Sequence, residues 1–562
     1  MRVIILQIYL IKRNIMRILK PVFYSAIAIT SLVGCSSVSK KVVPTGSNTV
    51  VTMSAKKAEL TAYEKDNWHH LDLATDSIPG MSVDKAYEFL KGKKGIEVVV
   101  GVVDSGSDLK HEDLIDVAWV NTKEVAGNGI DDDKNGYVDD INGWNFLGKS
   151  YKEHLEYERI LMNPSIADAE TLKAVKALQE TKVEAAKKNV ARYGQMLAGV
   201  TMADDAFAKH FGKTDYTKEE VLAIKTTDVG LNQAIDGAKQ MYGFGLSSLT
   251  EAKEQLSKLV KTASDAVSGA NLKTDYRTVV GDNAYDINDK PGYGDANTGH
   301  SEEGEIHGTH VTGIIGATRN NDKGMNGVAT NVKMMAVRSV SDGDEYDKDV
   351  ALGIRYAVDN GAKVINTSFG KAFSPNKEWV YDAIKYAASK DVLIVNAAGN
   401  SGENIDVDKT FPNDAPDQLT EVSDNFLTIG AMSANYNEKL PAGFSNYGKV
   451  NVDIFAPGVQ IHSTFPDNKY QKISGTSMAS PATAGVAALI RSYYPQLSAS
   501  QVKHIIMNSG TKIDLMVTKP GSTSRANPAG ELVPFADLSV SGRIVNAYNA
   551  VLMADRMVNG RK

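Results

Sequence analysis

Serine, histidine and aspartate side chains with the makings of nucleophilic catalysis lie far apart in this 562-residue chain. The serine belongs to "ISGTSMASPATAGVAALI" (473–490), where Ser474, Thr476, Ser477 and Ser480 precede an apolar helical run. Pro481 has no N–H to give and is tolerated only near a first turn, so the helix must begin a few residues earlier. That puts Ser477 at the N-terminus, where unpaired N–H groups and the positive dipole end favour a developing anion. Ser480 falls one turn inside the helix and Ser474 in its approach. A serine hydroxyl is a weak nucleophile until a base takes its proton, and the base needs an orienting partner. His307, opening the small-residue helix of "EIHGTHVTGIIGA", and Asp104, closing the apolar run "IEVVVGVVD" (96–104), are of the right types. Each has a plainer reading when taken alone: a helix cap or turn former for Asp104, a structural histidine for His307. His307 and His310 form H-x-x-H, which is not the H-E-x-x-H pattern of a zinc peptidase.

Taken together the residues say more. They occur in the order Asp, His, Ser, and "DSGSDLKHEDL", "HGTHVTGIIGA" and "GTSMASPATAGVAAL" resemble the three active-site motifs of the subtilisin family of serine peptidases. The resemblance implies an Asp104–His307–Ser477 triad acting through an acyl-enzyme. "AAGNSG" resembles the family's oxyanion segment, which makes the Asn400 side-chain amide one donor and the Ser477 N–H the other. "NTSFG" (366–370) resembles the strand that pairs with substrate, so that Ser368, Phe369 and Gly370 line one side of a cleft and Ala397, Ala398 and Gly399 the other. Main-chain pairing is common to all peptides and makes broad specificity natural. The expected activity is therefore serine endopeptidase hydrolysis of extended protein or peptide substrates, with no organic cofactor. Two rivals share the fold: a catalytically silent lipoprotein that binds partners through an inserted helical block, and a peptide ligase using the same acyl-enzyme. The intact triad and Asn400 speak against the first, and water as the default acceptor speaks against the second.

A separate cluster suggests a metal. In "GNGIDDDKNGYVDDINGW" the residues Asp131, Asp133 and Asn135 occupy positions 1, 3 and 5 of an EF-hand-like loop, with Gly136 at the turn, Tyr137 offering a carbonyl and Asp139 at position 9. Position 12 is Asn142 rather than a bidentate Glu, so the match is partial. Hard oxygen donors in such a loop suit structural calcium better than zinc, and the resemblance to a family that uses calcium in surface loops points the same way. "GDNAYDINDK" (281–290) is a weaker cation candidate.

Elements must bring these residues together. Apolar strand candidates at 96–104, 332–340, 362–369, 392–399, 426–433 and 452–458 alternate with helical periods such as "DKDVALGIRYAVDNG". The alternation predicts an α/β fold with a mostly parallel central sheet covered on both faces. In such sheets ligands bind outside the C-terminal strand ends. With the resemblance, this is a three-layer subtilisin-like domain over 67–555. Asp104 and His307 stand 203 positions apart, a gap accounted for by the acidic loop and an Ala/Lys/Glu-rich helical insertion at 152–270, in which Thr217 and Glu220 form a capping box. Residues 1–35 combine a basic stretch, a short apolar run and "LVGC", and resemble a bacterial lipoprotein signal ending at a lipidated Cys35. Residues 36–66 read as a tether or a reduced pro-segment. The expected location is outside the cytoplasm, lipid-anchored to a bacterial membrane, with contact to the membrane through the lipid alone. The 42% apolar content supports a real core, and a net charge of −6 with no basic stripe gives no reason to expect nucleic acid. No pattern specifies an oligomer.

Overall fold

The computed structural model describes residues 55–243, 245–299 and 306–560. Cys35 and the signal-like segment 1–35 lie outside the described residues, as does most of the 36–66 stretch. Among the described residues, one compact unit comprises 157–275 and the other 55–156 with 276–560.

The larger unit is built on a nine-stranded sheet. Its strands are β1 (Val98–Asp104), β2 (Gly143–Asn145), β3 (Val332–Arg338), β4 (Val364–Thr367), β5 (Leu393–Ala397), β6 (Phe426–Met432), β7 (Ile454–Pro457), β10 (Thr511–Lys512) and β13 (Arg543–Ile544). A hairpin of β8 (Ile461–Phe465) and β9 (Lys469–Ile473) and a ribbon of β11 (Met516–Thr518) and β12 (Leu532–Pro534) stand apart from it. The order is β10-β13-β7-β6-β5-β4-β1-β3-β2, parallel throughout except for β10 against β13. Successive strand residues face opposite ways, and the two cores divide accordingly. Val100, Val102, Val364, Leu393 and Val395 join the core that includes the helices His307–Gly316 and Thr476–Tyr493. Val103, Ile365 and Ile394 join the opposite core, with the helices Asp347–Asp359 and Lys377–Ser389. This is the expected three-layer arrangement, and the β-branched runs are apolar throughout because both faces are covered.

The smaller unit is helical. Its 43-residue helix Ala169–Phe211 packs with Val229–Gly243 and Leu249–Ser268. Tyr193, Val200, Ala203 and Phe207, three to seven apart on one face of the long helix, form a core with Val221, Tyr242 and Leu256. The Thr217–Glu220 capping box is formed, with each side chain bonding the other's backbone N–H. No helix among the described residues is long and apolar enough to cross a membrane.

Candidate active site

Asp104 is the last residue of β1 and is buried. Its Oδ1 accepts from the Ser105 N–H at 2.7 Å and from His307 Nδ1 at 2.7 Å. His307 opens its helix, and that helix start can press against the β1 loop because residue 308 lacks a side chain. A Cβ on Gly308 would stand 2.0 Å from the Gly106 carbonyl oxygen. With Nδ1–H committed to the carboxylate, Nε2 carries the imidazole lone pair. Burial opposes a charge on His307, but the Asp104 carboxylate and its hydrogen bond outweigh that and hold the pKa above 6.5. The ring is 33% exposed, so it remains reachable. His310 is a different case. It is fully buried with Nε2 against the carbonyls of Ile461 and Gln471, and burial pushes its pKa down to about 3, which makes it a neutral core residue.

The serine helix runs Thr476–Tyr493, and every residue from Met478 to Ser492 is buried. Ser477 is its second residue. Pro481 lies four positions on and cannot donate to the Ser477 carbonyl, so that oxygen is free for another partner. Ser368 Oγ takes it at 3.0 Å, while Ser477 Oγ donates to the Ser368 carbonyl at 3.0 Å. Ser480 Oγ donates to Asn366 Oδ1 and the Val395 carbonyl, and Asn366 Nδ2 donates to Ser368 Oγ. Ser474 Oγ accepts from Gln460 N–H. Of the four hydroxyls, Ser477 alone is both half-buried and next to an unsatisfied helix start.

That start holds two unclaimed donors. Asn400 Oδ1 accepts from the Thr476 N–H at 2.8 Å and from Thr476 Oγ1 at 3.0 Å, which turns the Asn400 Nδ2 outward. No described residue accepts from that Nδ2 or from the Ser477 N–H, and both lie 3.6 Å from where a Cβ on Gly475 would be. Thr476 Oγ1 also accepts from the Gly399 N–H. Gly399 has φ +99°, and a Cβ there would meet Asn446 Nδ2 at 2.5 Å. Asn446 itself donates to the Ala398 carbonyl and accepts from the Ser401 and Glu403 N–H groups, shaping the loop around Asn400. Strands β4 and β5 run in register to Thr367 and Asn396, so 368–370 and 397–399 leave the sheet side by side. Ser368, Ala397 and Ala398 are buried, and Phe369, Gly370 and Gly399 reach solvent.

The model of the subtilase family matches residues 95–530. The chain belongs to the subtilase family. Over 215 residues it is 37% identical to subtilisin DY of Bacillus licheniformis, covering 38% of this chain and 73% of that protein. Thermitase of Thermoactinomyces vulgaris is 39% identical over 213 residues, 38% of this chain and 70% of the relative. The chain is a subtilisin-like serine peptidase, a hydrolase.

Elsewhere in this subtilase the acidic loop brings the carboxylates of Asp131 and Asp133 together with Glu124, within 4.8 Å of one another. Glu124 lies outside the 12-residue pattern and was not among the expected ligands. Asp139 instead accepts from the Asn128 and Gly129 N–H groups. The Asn135 amide bonds Asp140 and the Tyr137 N–H, and the Tyr137 ring packs against Trp144, Phe146 and Tyr356. The second cation candidate resolves differently. The fully buried Lys348 Nζ donates to Asp282 Oδ2 and to the carbonyls of Asn283 and Asp289, so a lysine ammonium takes the oxygens of the 281–290 loop.

Thr476 escaped the sequence reading because nothing local distinguishes it from its neighbouring hydroxyls. Thr476→Val should lower kcat for peptide hydrolysis about tenfold with KM nearly unchanged, since removing one or two hydrogen bonds loosens the Asn400 amide. Steady-state kinetics on a chromogenic peptide check this, and an unaltered kcat would remove Thr476 from the site's support.

Proposed function

We propose that this subtilase is an endopeptidase whose nucleophile is Ser477, whose general base is His307 and whose orienting carboxylate is Asp104. The observation that carries the reading is the 2.7 Å bond from His307 Nδ1 to Asp104, which fixes the tautomer a general base requires. The convergence of Asn400 Nδ2 and the Ser477 N–H supports it, because both donors point to where an oxyanion would develop.

The chemistry follows from these groups. Ser477 Oγ first turns from the Ser368 carbonyl towards His307 Nε2, an adjustment expected when substrate enters an empty cleft. As Oγ attacks the peptide carbonyl, its proton passes to Nε2 and Asp104 stabilises the imidazolium. The oxyanion is received by Asn400 Nδ2 and the Ser477 N–H. His307 then gives the proton to the leaving amine, and water, deprotonated by the same ring, releases the acyl group. Substrate extends along 368–370 and 397–399.

Ser477 should be labelled by a serine-directed phosphonate, and Ser477→Ala should abolish labelling. His307 must be neutral to act, and its pKa is raised, so the labelling rate should climb with pH through an inflection above 6.5. Asp104→Asn removes the two influences that raise that pKa and leaves burial, so the inflection should move down while kcat falls by about 10⁴. Folded protein that resists the reagent at every pH would refute the enzyme reading.

We infer further that structural calcium sits in the acidic loop, held by Glu124, Asp131 and Asp133 with oxygens of the Asn135–Asp139 turn around it. The donors are all hard oxygens, which suits that ion. Calcium at one hundred times its Kd should stabilise the fold by about 2.7 kcal/mol. A chelator should lower the melting temperature of the native protein, and Glu124→Gln should abolish the response; a chelator-insensitive melt would dismiss the site. Export and lipidation at Cys35 complete the proposal. Radiolabelled fatty acid should enter the protein in a bacterial host and fail to enter Cys35→Ala, and equal incorporation into both would exclude that anchor.

A further inference from the structure

The segment Ser368–Gly370 is fastened at both ends and open in between. At its start, Ser368 exchanges two hydrogen bonds with Ser477 and a third with Asn366. At its far end, Lys371 and Phe411 exchange backbone bonds at 2.8 and 2.9 Å. Between them, no described residue bonds the backbone N–H or C=O of Phe369 or Gly370, although such groups rarely go unpaired unless solvent or a ligand serves them.

The far fastening has an unusual component. The Lys371 side chain is only 2% exposed. Its Nζ donates to Glu156 Oε2 at 2.6 Å, to the Glu345 carbonyl at 2.7 Å, and pairs with Asp347 Oδ1 at 2.8 Å. Asp347 is held in turn by Ser374 Oγ and the Asn376 N–H, and the Glu156 N–H donates to Asp344 Oδ2. A buried ammonium must be paired with good geometry or it costs more than it returns. The pairing here fixes the direction in which the chain leaves Gly370.

We propose that Lys371, through Glu156 and Asp347, is a positioning residue that holds Phe369 and Gly370 in register for an extended peptide. The proposal rests on the reading of 368–370 as the substrate strand, given above. The two fastenings are independent: Ser477 is tied to Ser368, and Lys371 touches neither the triad nor Asn400. Removing the ammonium leaves the far end held by the backbone pair with Phe411, so Phe369 and Gly370 lose their register while Ser368 and Ser477 keep theirs. Its signature is weaker binding of extended substrate without loss of chemistry.

The test measures the full chain with Lys371→Met. KM for a peptide long enough to pair with 368–370 should rise about tenfold, as for loss of one main-chain hydrogen bond, while kcat changes less than threefold. Because Lys371→Met alone leaves two buried carboxylates facing one another, Lys371→Met/Glu156→Gln is made beside it, and thermal melting confirms folding of each. In a Ser477→Ala background, calorimetry with the same peptide should show the same weakening. This arm does not depend on turnover, so a failure of the catalytic assignment shows as wild-type protein that binds peptide without cleaving it, with the Lys371 effect on affinity intact. Unchanged KM and affinity in folded variants would overturn the proposal. So would a parallel loss of kcat, or a Ser477→Ala protein with Lys371 intact that binds no peptide.

Discussion

The bond between His307 and Asp104 joins residues 203 positions apart across 2.7 Å, and the rest of the architecture is what makes that closeness affordable. A carboxylate at the end of a buried strand must be met by a donor, and the donor arrives on a helix whose second residue has no Cβ to collide with the facing loop. The long intervening chain costs little by itself, since closure entropy grows only with the logarithm of length. Most of the gap is also not loose chain. Residues 157–275 have their own apolar core around Tyr193, Phe207 and Leu256, so their ordering is offset locally and does not weigh on the Asp104–His307 bond.

The serine is held by a different device. Its helix is buried almost throughout, and an all-apolar contact with β4 and β5 would leave it free to slide by fractions of an ångström. Instead Ser480, Asn366 and Ser368 form a satisfied polar network beneath it. Such networks trade some hydrophobic stabilisation for a single geometry. Pro481 contributes by subtraction: it vacates the Ser477 carbonyl, and Ser368 Oγ occupies the vacancy. Ser477 and the start of the 368–370 segment are thereby one hydrogen-bonded piece.

What could be read from sequence, and what could not, divides along the same line. The family, the strands of the parallel sheet and the candidates Asp104, His307, Ser477 and Asn400 were legible because each sits in a short motif or a periodic run whose pattern is local. Thr476, Asn446, Glu124 and Lys371 were not legible, because their roles exist only in partners distant along the chain. Lys371 meets Glu156 from 215 positions away, and neither neighbourhood carries a pattern that announces the other. The insertion was visible as a composition change, and the compact unit of described residues spans 157–275 against the expected 152–270, because composition marks where a helical block lies but not the residue at which its packing begins.

The two oxygen-rich loops show why a motif alone underdetermines its cation. Both present carboxylates and carbonyls in turns, and both looked like places for a metal. In the 281–290 loop the charge is supplied by Lys348, which belongs to the first turn of the helix Asp347–Asp359 and is fully buried. Its neighbours on that turn are committed as well, Asp347 to Lys371 and Asp349 to Arg277. An ammonium tethered by the chain is present whenever the fold is, so Asp282 in this loop has its counter-charge built in, with Arg277 beside it. Around Glu124, Asp131 and Asp133 the hydrogen-bond partners among the described residues are mainly backbone N–H groups and amides, which soften like-charge repulsion without cancelling it. On the calcium reading, neutralisation there depends on an ion that can leave. The same fold would then hold one loop by covalent connection and the other by solution conditions, and only the second could respond to the calcium concentration around it.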